Sequence, residues 1–217
     1  MNVPEDDIGV TQESRPTHYQ LWNSLAVSAC VLLLLLAIVP VISYRNTIMP
    51  HGIIVHHSAV TTTFDGRPVD FHVLDNFHHQ RGFSIFYWGR IYHIGYHYII
   101  FPDGTVQQGR PEHCQGAHAI GHNSDLGICL IGDFSTTDNP RGERGLLEPT
   151  EAQMRALIDL CHRLQIRYQI PLESVQRHRD VSNGTECPGD RFPFQELIQK
   201  LDEKQVSEVS ALPASER

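Results

Sequence analysis

Two histidines stand within the run Gly52-Ile53-Ile54-Val55-His56-His57-Ser58-Ala59, and another opens His178-Arg179-Asp180, nine residues before Cys187-Pro188-Gly189. Two imidazoles and one thiolate suffice to hold a tetrahedral Zn²⁺ with one open position, the arrangement that catalytic zinc requires. His56 follows a short apolar stretch and His178 another short strand, and the end of a buried strand presents a side chain to a cleft from a rigid base. The spacing alone does not single these residues out, because the chain carries fourteen histidines. A lone histidine in such a place is ordinarily a surface residue or a hydrogen-bonded core residue. Five cysteines, an odd number without a Cys-x-x-Cys pair, offer no disulfide framework. Cys114, Cys129 and Cys161 read as small buried apolar residues.

The elements that would position this chemistry can be read from periodicity. Gly52 to Val55 is short, apolar and β-branched, which predicts a buried strand. Val69 to Gly82 has helical spacing, with Phe71, Leu74 and Phe77 on one face and Gly82 as a stop. Tyr96 to Phe101 is strand-like and enters the turn Pro102-Asp103-Gly104, after which Thr105-Val106-Gln107 returns. Leu126 to Ile131 is a further apolar run bounded by glycines. Thr150 is a good N-cap for a long amphipathic helix that turns Met154, Leu157, Ile158, Cys161 and Leu164 inward. Val175 opens a short strand, and Phe194 to Leu201 forms a last helix. The order predicts an α/β domain, a central mixed β-sheet flanked by helices in three layers.

The N-terminal region belongs to a different solvent. No charge falls between Leu25 and Ile42, a stretch that holds Val31-Leu32-Leu33-Leu34-Leu35-Leu36. That is about the minimum length for a bilayer span. Trp22 before it and Tyr44-Arg45 after it suit the two interfaces. Val41-Ile42-Ser43 resembles a signal-peptidase site, but the preceding tail is long and acidic and the apolar run is long for a cleaved signal. Val27-Ser28-Ala29-Cys30 mimics a lipoprotein box, yet it lies before the centre of the run. An uncleaved transmembrane helix is therefore expected. Arg15 and Arg45 balance, so charge leaves its orientation open.

The expected organisation is a polar tail at 1–20, an anchor at 21–43, a linker at 44–50, a folded domain at 51–201 and a disordered tail at 202–217. The formal net charge of −8 argues against nucleic acid as a partner. Much of the acidity sits in the two tails, through Glu5, Asp6, Asp7 and Glu13 at one end and Asp202, Glu203, Glu208 and Glu216 at the other.

Taken together and in order, GIIVHHSA, GYHYIIFPDGTVQQGRPEHCQGAHAIGHNSDLGICLIGDF and HRDVSNGTECPGDRFPF resemble the N-acetylmuramoyl-L-alanine amidase family. That family includes phage amidase-type lysozymes and peptidoglycan recognition proteins. The resemblance covers residues 52 to about 201. It implies that His56, His178 and Cys187 ligate Zn²⁺, that Tyr96 acts beside the metal, and that His118 and Asn123 line a substrate groove. His57 is grouped with these substrate-binding positions as a neighbour of the first ligand. Some members carry a lysine where this chain has Thr185, and threonine there is common in the recognition-protein branch, so Thr185 is assigned a catalytic role with Tyr96. Some bacterial members carry a glutamate where this chain has Cys129, which leaves the general acid and base unassigned. Glu186 reads as a solvated surface acid.

The activity so implied is zinc-dependent hydrolysis of the amide between N-acetylmuramic acid and L-alanine in peptidoglycan. The competing reading is a recognition module that holds the muropeptide without cutting it. Members of that kind typically lack the cysteine ligand, so Cys187 favours the enzyme. The expected form is a monomer, single-pass in the membrane, with its catalytic domain on the extracytoplasmic (periplasmic) side, held close to the membrane by a short tether.

Overall fold

The computed structural model describes residues 18–64 and 66–211. It contains two units, one ending at Val41 and one starting at Ile42. Helix α1, His18–Arg45, makes up the described part of the first and runs into the second. Its leucines at 25, 32, 33, 34 and 36 are all exposed, so the helix presents apolar side chains around its circumference. A helix apolar on every face has no polar side to give to water. Among the described residues it alone is long and apolar enough to cross a bilayer, over Trp22–Arg45 with a mean hydropathy of 3.0. Most of the expected N-terminal tail, through residue 17, lies outside the described residues.

The second unit is built on a five-stranded sheet. In chain order its elements are β1 (Ile53–His57), β2 (Thr63–Phe64), β3 (Arg67–Pro68), α2 (Phe71–Gln80), β4 (Ile85–Tyr87), β5 (Arg90–Tyr92), β6 (Tyr98–Ile100), β7 (Val106–Gln108) and β8 (Leu126–Leu130). Then come α3 (Glu151–Tyr168), a 3-10 turn at Leu172–Ser174, β9 (Val175–Arg177), α4 (His178–Val181) and α5 (Phe194–Ala211). The sheet order is β7-β6-β8-β1-β9. Four strands run parallel and β7 pairs antiparallel with β6. β2–β3 and β4–β5 are separate two-stranded hairpins.

Alternation along the strands sorts the two faces. Ile53, Val55, Leu126, Ile128, Leu130 and Ile100 pack with Met154, Leu157, Leu160 and Leu164 of α3 and with Leu197 and Leu201 of α5. Ile99 and Ile131 face the other way, toward Ile94, Val69 and Leu74 of α2. Every residue of β1 and β8 is buried, as expected for parallel strands covered on both sides. The three layers expected from the sequence are thus present.

Thr150 caps α3 as expected: its side chain accepts from the Gln153 N–H, and the Gln153 side chain accepts from the Thr150 N–H. The buried Gln153 amide also donates to the Ile100 and Ile131 carbonyls, joining the helix start to two strand ends.

Two boundaries differ from expectation. Residues 44–50 are no free linker: α1 continues to Arg45, Thr47 bridges to Cys114, Gln115 N–H donates to the Asn46 carbonyl, and Ile48 N–H to the His113 carbonyl. Residues 202–211 are no disordered tail, because α5 continues to Ala211 and Lys204 pairs with Asp159 of α3 at 3.1 Å. Residues 212–217 lie outside the described residues.

Candidate active site

The sheet brings the three sequence-predicted ligands together. His56 is on β1, His178 begins α4 directly after the neighbouring strand β9, and Cys187 lies on the loop before α5. One donor atom from each lies within 4.8 Å of the others, and this is the one such group of metal-capable side chains among the described residues. The rings of His56 and His178 have centroids 4.5 Å apart, and Cys187 Sγ sits 3.6 Å from His56 Nδ1.

Hydrogen bonds select which nitrogen each ring offers. His118 Nε2 lies 2.9 Å from the Asp125 carbonyl, an acceptor, so this nitrogen carries the proton. His118 Nδ1 is then a bare acceptor, and it lies 3.1 Å from His56 Nε2. His56 Nε2 must therefore donate, which leaves His56 Nδ1 as a free lone pair on the side of Cys187. Burial lowers the His56 pKa well below the usual imidazole value, with His118 and His178 adding to the effect. The ring is neutral, the form that binds metal. Burial likewise lowers His118, to about 3, and lowers His178.

The cysteine loop is fixed by its own backbone. Cys187 N–H donates to Thr185 Oγ1 at 3.2 Å, Arg179 N–H donates to the Cys187 carbonyl at 2.9 Å, and His57 N–H donates to Sγ at 3.4 Å. Burial pushes the Cys187 thiol up to about 12. A neighbouring cation is what would hold it as a thiolate at neutral pH. Two neutral imidazoles and a buried sulfur form a donor set suited to a borderline-soft divalent ion.

Tyr96 stands next to this cluster, its ring centroid 5.1 Å from that of His56. Burial raises the pKa of its phenol well above the usual value, with Cys129 and Cys187 adding to the effect, so it stays protonated. Beside it opens a cleft of about 150 Å³, lined by Ser58, Val60, Leu74, His78 and Arg81 as well as Tyr96. A protonated phenol and a cation thus share this cleft, and the phenol's ring adjoins the donor cluster through His56.

The remaining expectations fare differently. His57 points to the opposite sheet face from His56, as alternation requires. Its Nδ1 accepts from Phe134 N–H at 3.1 Å and the residue is buried. His118 engages both ring nitrogens within the protein, and its ring supports His56. Asn123 spends its Oδ1 on the N–H groups of His118 and Ala119, holding the loop that carries His118. Thr185 is half-buried and its oxygen holds the Cys187 backbone. The Glu186 side chain is exposed and accepts from Ser135 and Thr137.

Three residues escape a sequence reading. Arg110 is buried and donates to the carbonyls of Ile94, Gln115 and Phe83, tying three loops behind the site. His97 bridges the Gly127 N–H and the Cys114 carbonyl. His78 accepts from Gly95 N–H at 2.8 Å and lines the cleft. In sequence each is one more polar residue among many, and no spacing marks it.

Known proteins share this fold. The family profile described as N-acetylmuramoyl-L-alanine amidase matches residues 45–190. The chain is 34% identical over 137 residues to the endolysin of Klebsiella phage KP32, covering 63% of this chain and 78% of that protein. Among solved structures, the N-acetylmuramoyl-L-alanine amidase LysC from Clostridium intestinale superposes with a TM-score of 0.56 at 35% identity, covering 71% of this chain and 87% of that one. Drosophila peptidoglycan recognition protein SD, with a TM-score of 0.52 and 24% identity over 70% of this chain and 82% of that one, shares the fold. Spanning two thirds of the sequence and all three members of the donor cluster, the match establishes that the chain belongs to the N-acetylmuramoyl-L-alanine amidase family.

Proposed function

We propose that the chain hydrolyses the amide between N-acetylmuramic acid and L-alanine in peptidoglycan, with Zn²⁺ held by His56, His178 and Cys187. The observation that carries the reading is the donor cluster itself, two imidazole nitrogens and a thiol within 4.8 Å in a chain of this family. Bound there, Zn²⁺ would polarise the scissile carbonyl and lower the pKa of water to about 7.

The chain's own groups supply the rest. Tyr96, protonated at any neutral pH, donates to the oxygen on which charge develops as the amide carbon becomes tetrahedral. Thr185 orients the cysteine ligand through its oxygen and keeps its hydroxyl proton for a second acceptor. Arg81 places a positive charge on the cleft wall, suited to the carboxylates of a stem peptide. Water adds to the carbonyl carbon, the C–N bond breaks, and the products are a lactyl carboxylate and a free L-alanine amine. All these residues come from one chain, so a monomer suffices.

A recognition module is the second reading, favoured by the fold shared with peptidoglycan recognition protein SD and by the place of Cys129, a buried thiol beside His56 in the strand register. Retention of all three donors supports the hydrolase over it. Incubating the full-length protein in detergent with purified peptidoglycan separates the two. Release of stem peptides with a free L-alanine amine, abolished by a chelator and restored by Zn²⁺, is expected. Wall that pulls the protein down uncut would establish the recognition module instead.

The 24-residue apolar span supports a single-pass anchor, and a peptidoglycan substrate puts the domain on the periplasmic face. Protease added to intact spheroplasts should then digest the domain, and full protection would place it on the other side.

A further inference from the structure

Trp88 occupies a costly position. Tyr87 pairs with Arg90, which leaves Trp88 and Gly89 as a two-residue turn with φ of 46° and 84°. Positive φ at both central residues is the turn that matches hairpin twist, and Asn, Asp or Gly ordinarily fills it. A bulky side chain in this region is a backbone outlier that stores strain. No burial offsets the cost: Trp88 is 59% exposed, and Ile91 on the returning strand is 57% exposed.

The same hairpin is fastened to the residues where α1 ends. Trp88 N–H donates to Ser43 Oγ at 2.8 Å, Asn46 Nδ2 donates to the Phe86 carbonyl at 3.0 Å, and the Tyr87 hydroxyl meets Thr47 Oγ1 at 3.4 Å. All of these residues lie within the second unit, and Ser43 is fully buried. The neighbours Tyr44 and Arg45 are exposed, as is Arg90 on the hairpin.

We propose that the Trp88 turn is a second membrane contact, seated in the headgroup layer of the leaflet from which α1 emerges. The proposal rests on the reading of α1 as a membrane span. A helix crossing the bilayer over Trp22–Arg45 ends at the lipid–water boundary, so Ser43 lies at that boundary. The hydrogen bond from Trp88 to Ser43 then holds the turn at the same depth. Indole and phenol concentrate there because one end of the ring is apolar and the other polar. Arg45 and Arg90 supply positive charge for lipid phosphates. The strained tryptophan is then explained: its side chain contacts lipid.

The chain has two tryptophans, Trp22 and Trp88, so each can be made the sole fluorophore. Full-length Trp22→Phe and Trp88→Phe proteins are reconstituted into anionic vesicles whose acyl chains carry bromine either near the headgroup or near the bilayer centre. With Trp88 alone, the emission should be blue-shifted and fall roughly twofold with the shallow bromines, and less with the deep ones. Unshifted, unquenched Trp88 emission in vesicles where Trp22 is quenched overturns the proposal while leaving the span intact. Unquenched Trp22 removes the span and the proposal together.

Discussion

His118 Nδ1 lies 3.1 Å from Nε2 of His56, while the far nitrogen of His118 is 2.9 Å from the Asp125 carbonyl. This short chain of hydrogen bonds assigns Nδ1 of His56 to the donor cluster. Groups that orient a metal-binding histidine typically contribute about 10–100-fold in affinity. His118→Ala should weaken zinc binding by about that factor in a chelator competition. His118→Asn, whose side-chain oxygen can accept near the place of Nδ1, should recover part of the loss. Equal affinity in all three proteins would remove His118 from the metal site.

Cys187→Ser tests the cluster itself. Because a metal that binds the native state alone stabilises it by mass action, a chelator should lower the Tm of the wild-type protein. The variant should retain no zinc, release no peptide from the wall, and show a Tm indifferent to the chelator. A variant that still cut peptidoglycan with metal bound would require a different set of ligands.

What could be read from the sequence was what periodicity and local chemistry encode. β1, β8, α2, α3 and β9 fall near their expected places because apolar runs, the Thr150 cap and the stop at Gly82 are local signals. The hairpin of β4 and β5 was invisible, since its turn holds a tryptophan where a turn residue is expected. Residues 202–210 read as a tail on charge alone, although the segment contains no glycine or proline and is rich in good helix formers. The donor residues were found through long motifs. The hydrogen-bond partners of His57, His118 and Asn123 were not, because sheet face and tautomer depend on partners distant in sequence.

Gly127 shows how tightly the strands hold His118. A Cβ there would stand 2.6 Å from His118 Cγ and Cδ2, and one at Gly116 would stand 2.5 Å from Cδ2. Gly127→Ala should therefore displace the ring and cost about 1–3 kcal/mol of stability, as overpacking in a filled core does. Denaturant unfolding would read the stability loss, and weakened zinc affinity in the same variant would report the displaced ring. An unchanged midpoint and affinity would mean that the ring has room the packing denies.

His97 predicts a stability limit on the acid side. Its Nδ1 accepts from Gly127 N–H at 2.9 Å and its Nε2 faces the Cys114 carbonyl at 2.8 Å, so the buried ring is neutral with the proton on Nε2. Burial lowers its pKa to about 4; Arg110 acts in the same direction, while the Cys114 carbonyl and Glu112 oppose it. A depressed folded-state pKa contributes stability that is fully present above the unfolded value of about 6.5. That contribution is lost as pH falls from there toward about 4, where the folded protein also takes up the proton. The loss is on the order of 3 kcal/mol from this ring, and His57 and His78, also lowered to about 4, act in the same window. His97→Gln keeps an acceptor and a donor but cannot titrate. In detergent, its stability should fall less steeply between pH 6.5 and 4 than that of the wild type, by about one proton. An identical slope would show that the His97 ring does not resist protonation in the folded state.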